Sequence, residues 1–344
     1  MRAVVMREYG GPGVLRVEEV AEPVAGTGEV VVRVSACGVC GHDLLARRGE
    51  LGTPLPAILG HEIAGVVTQV GDEVDKLTVG DRVALVQRDP CGRCPACRGG
   101  ASNHCRRGRG FYGEDQDGGY AELVVASERN TVILPSEISD ATGAVSSCAI
   151  GTGWHALQRV RSARGEIVVV TGAGGGVGLH ALQLGRHLGM HVIAATTSAA
   201  KRDRLLEAGA HEVVLLGPAE PALRDQVKTL TGGQLADVVL ELAGAPTFRA
   251  AVAALAPLGR LALIGNVDPQ DLTLRPGLTI LRELSIVGSA HGTKEDLATV
   301  LNLVAEGHVT PVIAERFPLA EAHRAHEPPT CHGPLGRRLL IPAE

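Results

Sequence analysis

The chain has 344 residues, 45% apolar and 21% charged, with 8 Cys, a net charge of −5 and only 3 Phe, 3 Tyr and 1 Trp. These figures exclude a disordered polar chain, a cysteine-dense disulfide scaffold and a basic surface for nucleic acid or anionic lipid. No apolar run approaches the roughly 20 residues needed to cross a bilayer, so a cytoplasmic protein acting on small molecules is expected, with no nucleic-acid or membrane partner.

Residues 1–150 read as short strands at 3–6, 14–20, 29–38, 62–71, 81–86, 120–126 and 131–135. Their Val enrichment and alternation predict a β-rich body. Gly11-Pro12-Gly13, Pro54, Pro56 and Pro135 punctuate it, and a Gly-, Arg- and Cys-rich loop fills 88–110. From 151 the pattern changes to strand and helix in alternation. Strands are predicted at 166–171, 191–195, 213–216, 237–242, 260–264 and 284–287, and helices at 177–188, 199–208, 221–230, 247–255 and 278–282. Nearly continuous apolar strands between helices imply a doubly wound parallel sheet in an α/β protein. Beyond 290 come a helix at 294–306 and a strand at 337–341. The simplest layout is a β-rich domain at 1–150, a Rossmann-like domain at 151–290, and a return to the first domain at 291–344.

Cys91, Cys94, Cys97 and Cys105 form a C-x2-C-x2-C-x7-C array. Four thiolates at such spacings can converge on one tetrahedral ion and leave it no open position. A structural zinc is therefore expected here. Catalytic zinc needs an open site, with three protein ligands of mixed type. Cys40 in ACGVCGHD, His61 in ILGHEIAG and Cys148 in SSCAIGTGWHAL are candidates at strand–turn junctions.

The segments C-G-V-C-G-x-D at 37–43, G-H-E at 60–62, V-G-D-R-V at 79–83, G-G-Y-A-E at 118–122, the four-cysteine loop and the glycine turn at 171–178 carry a resemblance along essentially the whole chain. The sequence resembles the zinc-dependent medium-chain dehydrogenases/reductases, the alcohol dehydrogenase superfamily. The resemblance implies a GroES-like catalytic domain beside the Rossmann domain. It implies that Cys40, His61 and Cys148 bind catalytic zinc, with Glu62 as a transient fourth ligand or a carboxylate just behind it. Asp43 is expected to orient His61 through the second ring nitrogen, and Cys37 to be a buried thiol. Two zinc ions per chain follow, and by analogy a homodimer or homotetramer.

One position departs from that pattern. Two residues after the catalytic cysteine the family usually carries Ser or Thr, whose hydroxyl relays a proton; this chain has His42, and Leu45 where many members keep a relay histidine. His42 can relay or donate the proton itself, or be a loop side chain without a catalytic part.

IVVVTGAGGGVGLHALQL reads as strand, glycine turn and helix, the arrangement that seats a pyrophosphate on helix N-terminal amides. Ala173 replaces the first glycine; Gly175 and Gly178 hold the second and third, and Gly172 and Gly176 loosen the turn. Val177 is expected behind the nicotinamide. This A-G-G-G-V-G form is similar to the quinone oxidoreductase and enoyl reductase branches. The second Rossmann strand ends at Thr196 rather than an acid, followed by Thr197, Ser198, Lys201 and Arg202. Hydroxyls and cations favour NADP(H) over NAD(H), because a carboxylate would repel a 2′-phosphate. Gly244, Gly265, Asn266 and Val267 fall at later strand ends, where the nicotinamide half is expected.

Arg47 and Arg48 are candidates to meet an anionic substrate. Arg106, Arg107, Arg109, His323, His326, Cys331 and His332 read as solvated surface. The leading functional expectation is a zinc-dependent alcohol dehydrogenase or carbonyl reductase. The alternative is a conjugate reductase of enoyl thioesters or quinones, motivated by the glycine turn, by His42, and by a C-terminal half that resembles archaeal acryloyl-CoA reductases.

Overall fold

The Val-rich strand Glu29–Val39 organises the first half of the molecule. In the computed structural model, which describes residues 1–266, 270–328 and 335–342, it pairs antiparallel with Glu62–Val70, Leu123–Ser127 and Arg337–Ile341. Val30, Val32 and Val34 are fully buried while Arg33 faces solvent, the period-two pattern of a sheet with one wet face. The sheet runs in the order Thr131–Ile133, Arg82–Leu85, Glu62–Val70, Glu29–Val39, Arg337–Ile341, Ile313–Pro318. A smaller sheet of Leu15–Glu19, Arg2–Met6 and Ala57–Ile58 packs against it over a shared apolar core.

The second sheet is wholly parallel, in the order Glu212–Leu215, His191–Thr196, Ile167–Val170, Ala236–Glu241, Leu255–Leu263, Ser285–Gly288. Counted along the chain, that order is 3-2-1-4-5-6, the doubly wound Rossmann arrangement. Its strands are buried on both faces: Val168 and Val170 join one apolar cluster, Ile167 and Val169 the other. The first of these clusters continues into the antiparallel sheet through Ala36, Ala64 and Ala84. The two sheets therefore share a core, and the strand order reverses between Ile167–Val170 and Ala236–Glu241, opening a crevice at their carboxyl ends.

Helices interrupt the β-rich reading of the first 150 residues. Gly41–Arg48 forms a short helix directly after the central strand. Asp140–Val145 passes through a wider π-helical turn, Ser146–Ile150, into the helix Gly151–Arg159. Gly41, Gly143, Gly151 and Gly153 hide these helices from propensity, and local hydrogen bonds reveal them. Ser139 caps the second, its Oγ accepting from Thr142 N at 3.2 Å. After the helix Lys294–Ala305, the strands Ile313–Pro318 and Arg337–Ile341 return to the first sheet, with Leu339 opposite Gly38 and Leu340 opposite Cys37. Among the described residues no helix is long and apolar enough to cross a membrane.

Candidate active site

The central strand delivers Cys40 to the start of the helix Gly41–Arg48, where Asp43 fixes the turn: its Oδ2 accepts from Cys40 N at 2.8 Å. The other carboxylate oxygen accepts from Gly60 N at 3.3 Å and lies 3.2 Å from His61 Nδ1, within ion-pair reach although angled short of a hydrogen bond. Asp43 thus ties Cys40 and His61 to one scaffold and turns the far nitrogen of His61 inward. Cys148 arrives on the π-helical turn, its Sγ 3.7 Å from Thr152 Oγ1. One donor atom each from Cys40, His61, Glu62 and Cys148 lies within 4.8 Å of the others.

These donors are unequal: His61, Glu62 and Cys148 are buried and Cys40 is half-buried. A hydrogen bond from Cys148 pulls the Cys40 thiol well below its ordinary pKa; the same bond, with burial, holds Cys148 well above it. Burial opposes the charge of His61, but Asp43 outweighs it and raises the imidazole. Glu62 is pushed up to about 7 by burial, with Arg337 pulling the other way. His61 Nδ1 and both Glu62 oxygens are buried without a well-formed hydrogen bond. Two thiols and an imidazole converging beside the unsatisfied Glu62 carboxylate fit a zinc ion with three protein ligands and an open position. Cys37, three residues away, is fully buried and its thiol is raised by burial, as expected of a core cysteine.

Rings close one side of this cluster. His42 lies 5.5 Å from His61 between centroids, and Phe111 lies 5.2 Å from His42 and 5.0 Å from His61. His42 Nε2 is hydrogen-bonded to Glu114, so the imidazole is anchored rather than loose. Glu114 carries no motif, and only the fold brings it to His42.

Arg337 also escaped sequence reading. It is buried, its Nη2 3.0 Å from Glu62 Oε1 and its Nη1 3.3 Å from Val39 O. Burial works against its charge, but Glu62 and the two thiols hold it up. Its guanidinium reaches the glycine turn, where a Cβ on Gly176 would stand 2.8 Å from Arg337 Cζ. One arginine thus touches both the cluster of donors and the glycine turn. Only the pairing of the 337–341 strand beside residues 37–39 puts it there, so no spacing rule could have found it.

The glycine turn follows Ile167–Val170 and ends at the helix Gly176–His187. Gly172 has φ +60°, and a Cβ on Gly178 would lie 2.5 Å from Gly172 O. These two positions need glycine for the turn and for close helix–strand packing. Ala173 is buried, and Gly175 N donates to Gly172 O at 2.9 Å. Val177 is half-buried at the helix start. Thr196 ends the second strand, and its Oγ1 accepts from Ser198 N at 3.2 Å; Thr197 is exposed. Lys201 lies over the turn, its Nζ 3.3 Å from a Cβ built on Gly174. Arg202 instead reaches back to the sheet, donating to Val213 O at 3.2 Å. Gly244, with φ +79°, abuts Gly265 and Asn266 at the later strand ends. Glu241 holds that bend, accepting from Gly244 N at 2.9 Å and Thr247 Oγ1 at 2.6 Å. Val267 lies outside the described residues.

The second cluster is sulfur only. Cys91, Cys94, Cys97 and Cys105 converge, with Cys94 Sγ 3.5 Å from Cys97 Sγ and 3.8 Å from Cys105 Sγ. Four sulfurs at ~2.3 Å from a tetrahedral zinc stand about 3.8 Å apart, so the spacing suits that ion. Backbone N–H groups of Cys91 and Arg107 point at Cys105 Sγ, at 3.2 and 3.4 Å, which favours its thiolate.

Comparison with known proteins decides the family. Residues 26–136 match the model of the alcohol dehydrogenase GroES-like domain, and 176–306 that of the zinc-binding dehydrogenase domain. The chain is 35% identical to the acryloyl-coenzyme A reductase of Metallosphaera sedula, across 95% of this chain and 96% of that protein. It belongs to the zinc-dependent medium-chain dehydrogenase/reductase superfamily. Among solved structures it is similar to AibC, at 40% identity and TM-score 0.92 over 100% of this chain and 96% of that one. It is equally similar in fold to an NAD-dependent alcohol dehydrogenase, at 35% identity and TM-score 0.92 over 99% of both. This chain is thus a dehydrogenase/reductase, with relatives that are alcohol dehydrogenases and relatives that are acryloyl-CoA reductases.

In this medium-chain dehydrogenase/reductase Arg47 is not open to a substrate. It is buried, and its Nη1 donates to Gly10 O at 2.7 Å, while Arg48 pairs with Glu50. His326, expected on the surface, is fully buried and shares a 2.9 Å hydrogen bond with Tyr120 OH; burial pushes its pKa down to about 4. Arg106, Arg107, Arg109 and His323 are exposed as expected. Cys331 and His332 lie outside the described residues.

Proposed function

We propose that the protein transfers hydride between NADP(H) and the carbon of an alcohol, aldehyde or ketone. One observation carries the reading: the donors of Cys40, His61, Glu62 and Cys148 lie within 4.8 Å of one another, linked to the glycine turn by Arg337. In this reading Cys40, His61 and Cys148 hold the catalytic zinc and the four lobe cysteines a structural one. When bound, the zinc supplies Lewis acidity at the substrate oxygen and the nicotinamide supplies or accepts the hydride. Asp43 keeps His61 oriented and its tautomer fixed. Arg337 compensates the buried charge of Glu62 and adds a cation beside the pyrophosphate seat. His42, steadied by Glu114, stands where a proton must pass to or from the substrate oxygen. Lys201 and the hydroxyls of Thr196, Thr197 and Ser198, with no acid at the strand end, support the 2′-phosphate of NADP(H); Arg202, engaged with Val213 O, contributes charge only at longer range.

A second reading, reduction of the C=C bond of an enoyl thioester, is favoured by His42 and Glu114 in place of a hydroxyl relay and by the acryloyl-CoA reductase relative. Both readings place the layout as a catalytic domain at 1–150, a dinucleotide domain at 151–290 and a return at 291–344, in a cytoplasmic enzyme without nucleic-acid or membrane partners. The sheet-edge strand Ser285–Gly288, beside exposed Leu258, Ile280 and Leu281, supports a homodimer or homotetramer joined at that edge. Oxidation of NADPH and NADH with a simple ketone and with an enoyl thioester tests the choice. Faster turnover with NADPH and the ketone is expected; turnover confined to the thioester would transfer the assignment to the second reading.

A further inference from the structure

A cavity of about 520 Å³ opens beside the four-cysteine lobe, between it and the start of the Glu29–Val39 strand. Four arginines, Arg93, Arg107, Arg109 and Arg129, line it against two acids, Glu29 and Asp89. Both acids are already engaged. Glu29 is ion-paired with Arg109, and Asp89 accepts from Ser127 N at 3.1 Å and Ser127 Oγ at 2.5 Å. The guanidinium groups of Arg93, Arg107 and Arg129 are left without a carboxylate or hydrogen-bond partner among the described residues.

The walls are built closely. Gly92 has φ +72°, and a Cβ there would stand 2.8 Å from Arg129 Cδ and 3.0 Å from its Nε, so the stem of Arg129 rests on the Cys91–Gly92 backbone. A Cβ on Gly108 would lie 2.1 Å from Asp89 O. Arg109 lies two residues before Phe111, whose ring is 5.0 Å from that of His61. Gly110, with φ +96°, turns the chain between them, and this short segment joins the hollow to the side of the mixed cluster.

We propose that this cavity is an anion subsite that takes a phosphate group. Planar guanidinium donors suit phosphate oxygens in pairs, the volume lies in the range of small-ligand sites, and three uncompensated cations around one hollow call for a multivalent anion. The phosphate comes either from the far end of a phosphorylated substrate, such as a coenzyme A thioester, or from a free phosphate-bearing effector. The inference holds under either reading of the reaction. The competing role for the arginines is to offset the double negative charge of a zinc ion held by four thiolates.

The test is calorimetric titration of the zinc-loaded protein, saturated with dinucleotide so that the Rossmann site is closed, with inorganic phosphate and with 3′,5′-ADP. Saturable binding is expected, weakened at least tenfold in Arg93→Gln and Arg129→Gln, partly kept in Arg129→Lys, and reduced by salt. If the KM for an enoyl-CoA rises about tenfold in Arg129→Gln at constant kcat, while the KM for the same acyl group on N-acetylcysteamine does not move, the phosphate is the substrate's own. Phosphate or 3′,5′-ADP binding with neither KM altered identifies a free effector. No saturable binding by the parent, or equal binding by parent and Gln variants, overturns the proposal. So does loss of lobe zinc in the Gln variants of a parent that binds no phosphate, which would assign the arginines to the thiolates.

Discussion

Cys91, Cys94, Cys97 and Cys105 come from a single 15-residue stretch, whereas Cys40, His61 and Cys148 come from three distant segments. The lobe is mostly exposed, with two-residue and four-residue elements and little apolar filling. Its geometry is set by the turns between cysteines, so the bound ion would itself be much of its fold. The mixed cluster stands at the end of the strand Glu29–Val39 and on a turn buried within the shared core. There the protein orders the donors and a bound ion would complete them. The difference teaches that one residue type can serve opposite ends: an ion organising protein, and protein organising an ion.

The sharpest way to break this comparison is at the mixed cluster. Cys40→Ser or His61→Ala should lower turnover at least about a thousandfold while leaving dinucleotide affinity near its original value, read from steady-state rates and fluorescence titration. Parental rates in a variant with verified zinc content would remove the cluster from the reaction. Next comes Arg337→Met, which removes the guanidinium paired with the buried Glu62. Denaturant unfolding should show a loss of about 3–5 kcal/mol, largely recovered when Glu62→Gln is added. If the double variant is no better than the single one, the pair is not the unit described.

On the lobe side, Cys94→Ser should release one equivalent of zinc and lower Tm by about 5 °C or more, while kcat per folded molecule stays within a few-fold. A collapse of kcat at unchanged Tm would reverse the contrast between the clusters. The smallest effect concerns the tether between lobe and Rossmann domain. Asn103 of the lobe donates to His291 O at 2.7 Å, its Nδ2 lies 3.5 Å from His155 Nε2, and His155 Nδ1 bonds Asp296 Oδ2 at 2.8 Å. Burial opposes the charge of Asp296, but His155 and the Thr293 amide outweigh it and lower its pKa. Its contribution is therefore complete above the ordinary carboxylate pKa of ~4 and is lost as pH falls through the depressed folded value. Asp296→Asn should cost about 1 kcal/mol at neutral pH and flatten the acid limb of the stability profile. An unchanged acid limb would exclude Asp296 from it.

Much of this was legible beforehand where chemistry and spacing coincide locally. The cysteine array, the glycine turn and the apolar strands of the parallel sheet could each be read from a few adjacent residues. Asp43 and His61 were legible through the family resemblance. Illegible were the residues whose role exists only through long-range pairing: Arg337 meets Glu62 because strand 337–341 lies beside 37–39, and Glu114 meets His42 across 72 positions. The helices around 140–159 were hidden because their glycines obey packing rather than propensity: a Cβ on Gly143 would stand 2.7 Å from Leu134 Cδ2. Arg47 and His326 failed in the other direction. One was read as meeting an anionic substrate and the other as solvated surface, and both proved to be internal hydrogen-bonding groups.

Arg337 also imposes an order on synthesis. A ribosome delivers the four lobe cysteines by residue 105 and the mixed donors by residue 148, but the guanidinium that lies against Glu62 and the glycine turn arrives nearly two hundred residues later. The lobe cysteines are thus together early, while Glu62 stays without its guanidinium partner until the closing strand pairs with 37–39. Formation of the Glu62–Arg337 pair is in this way coupled to completion of the sheet.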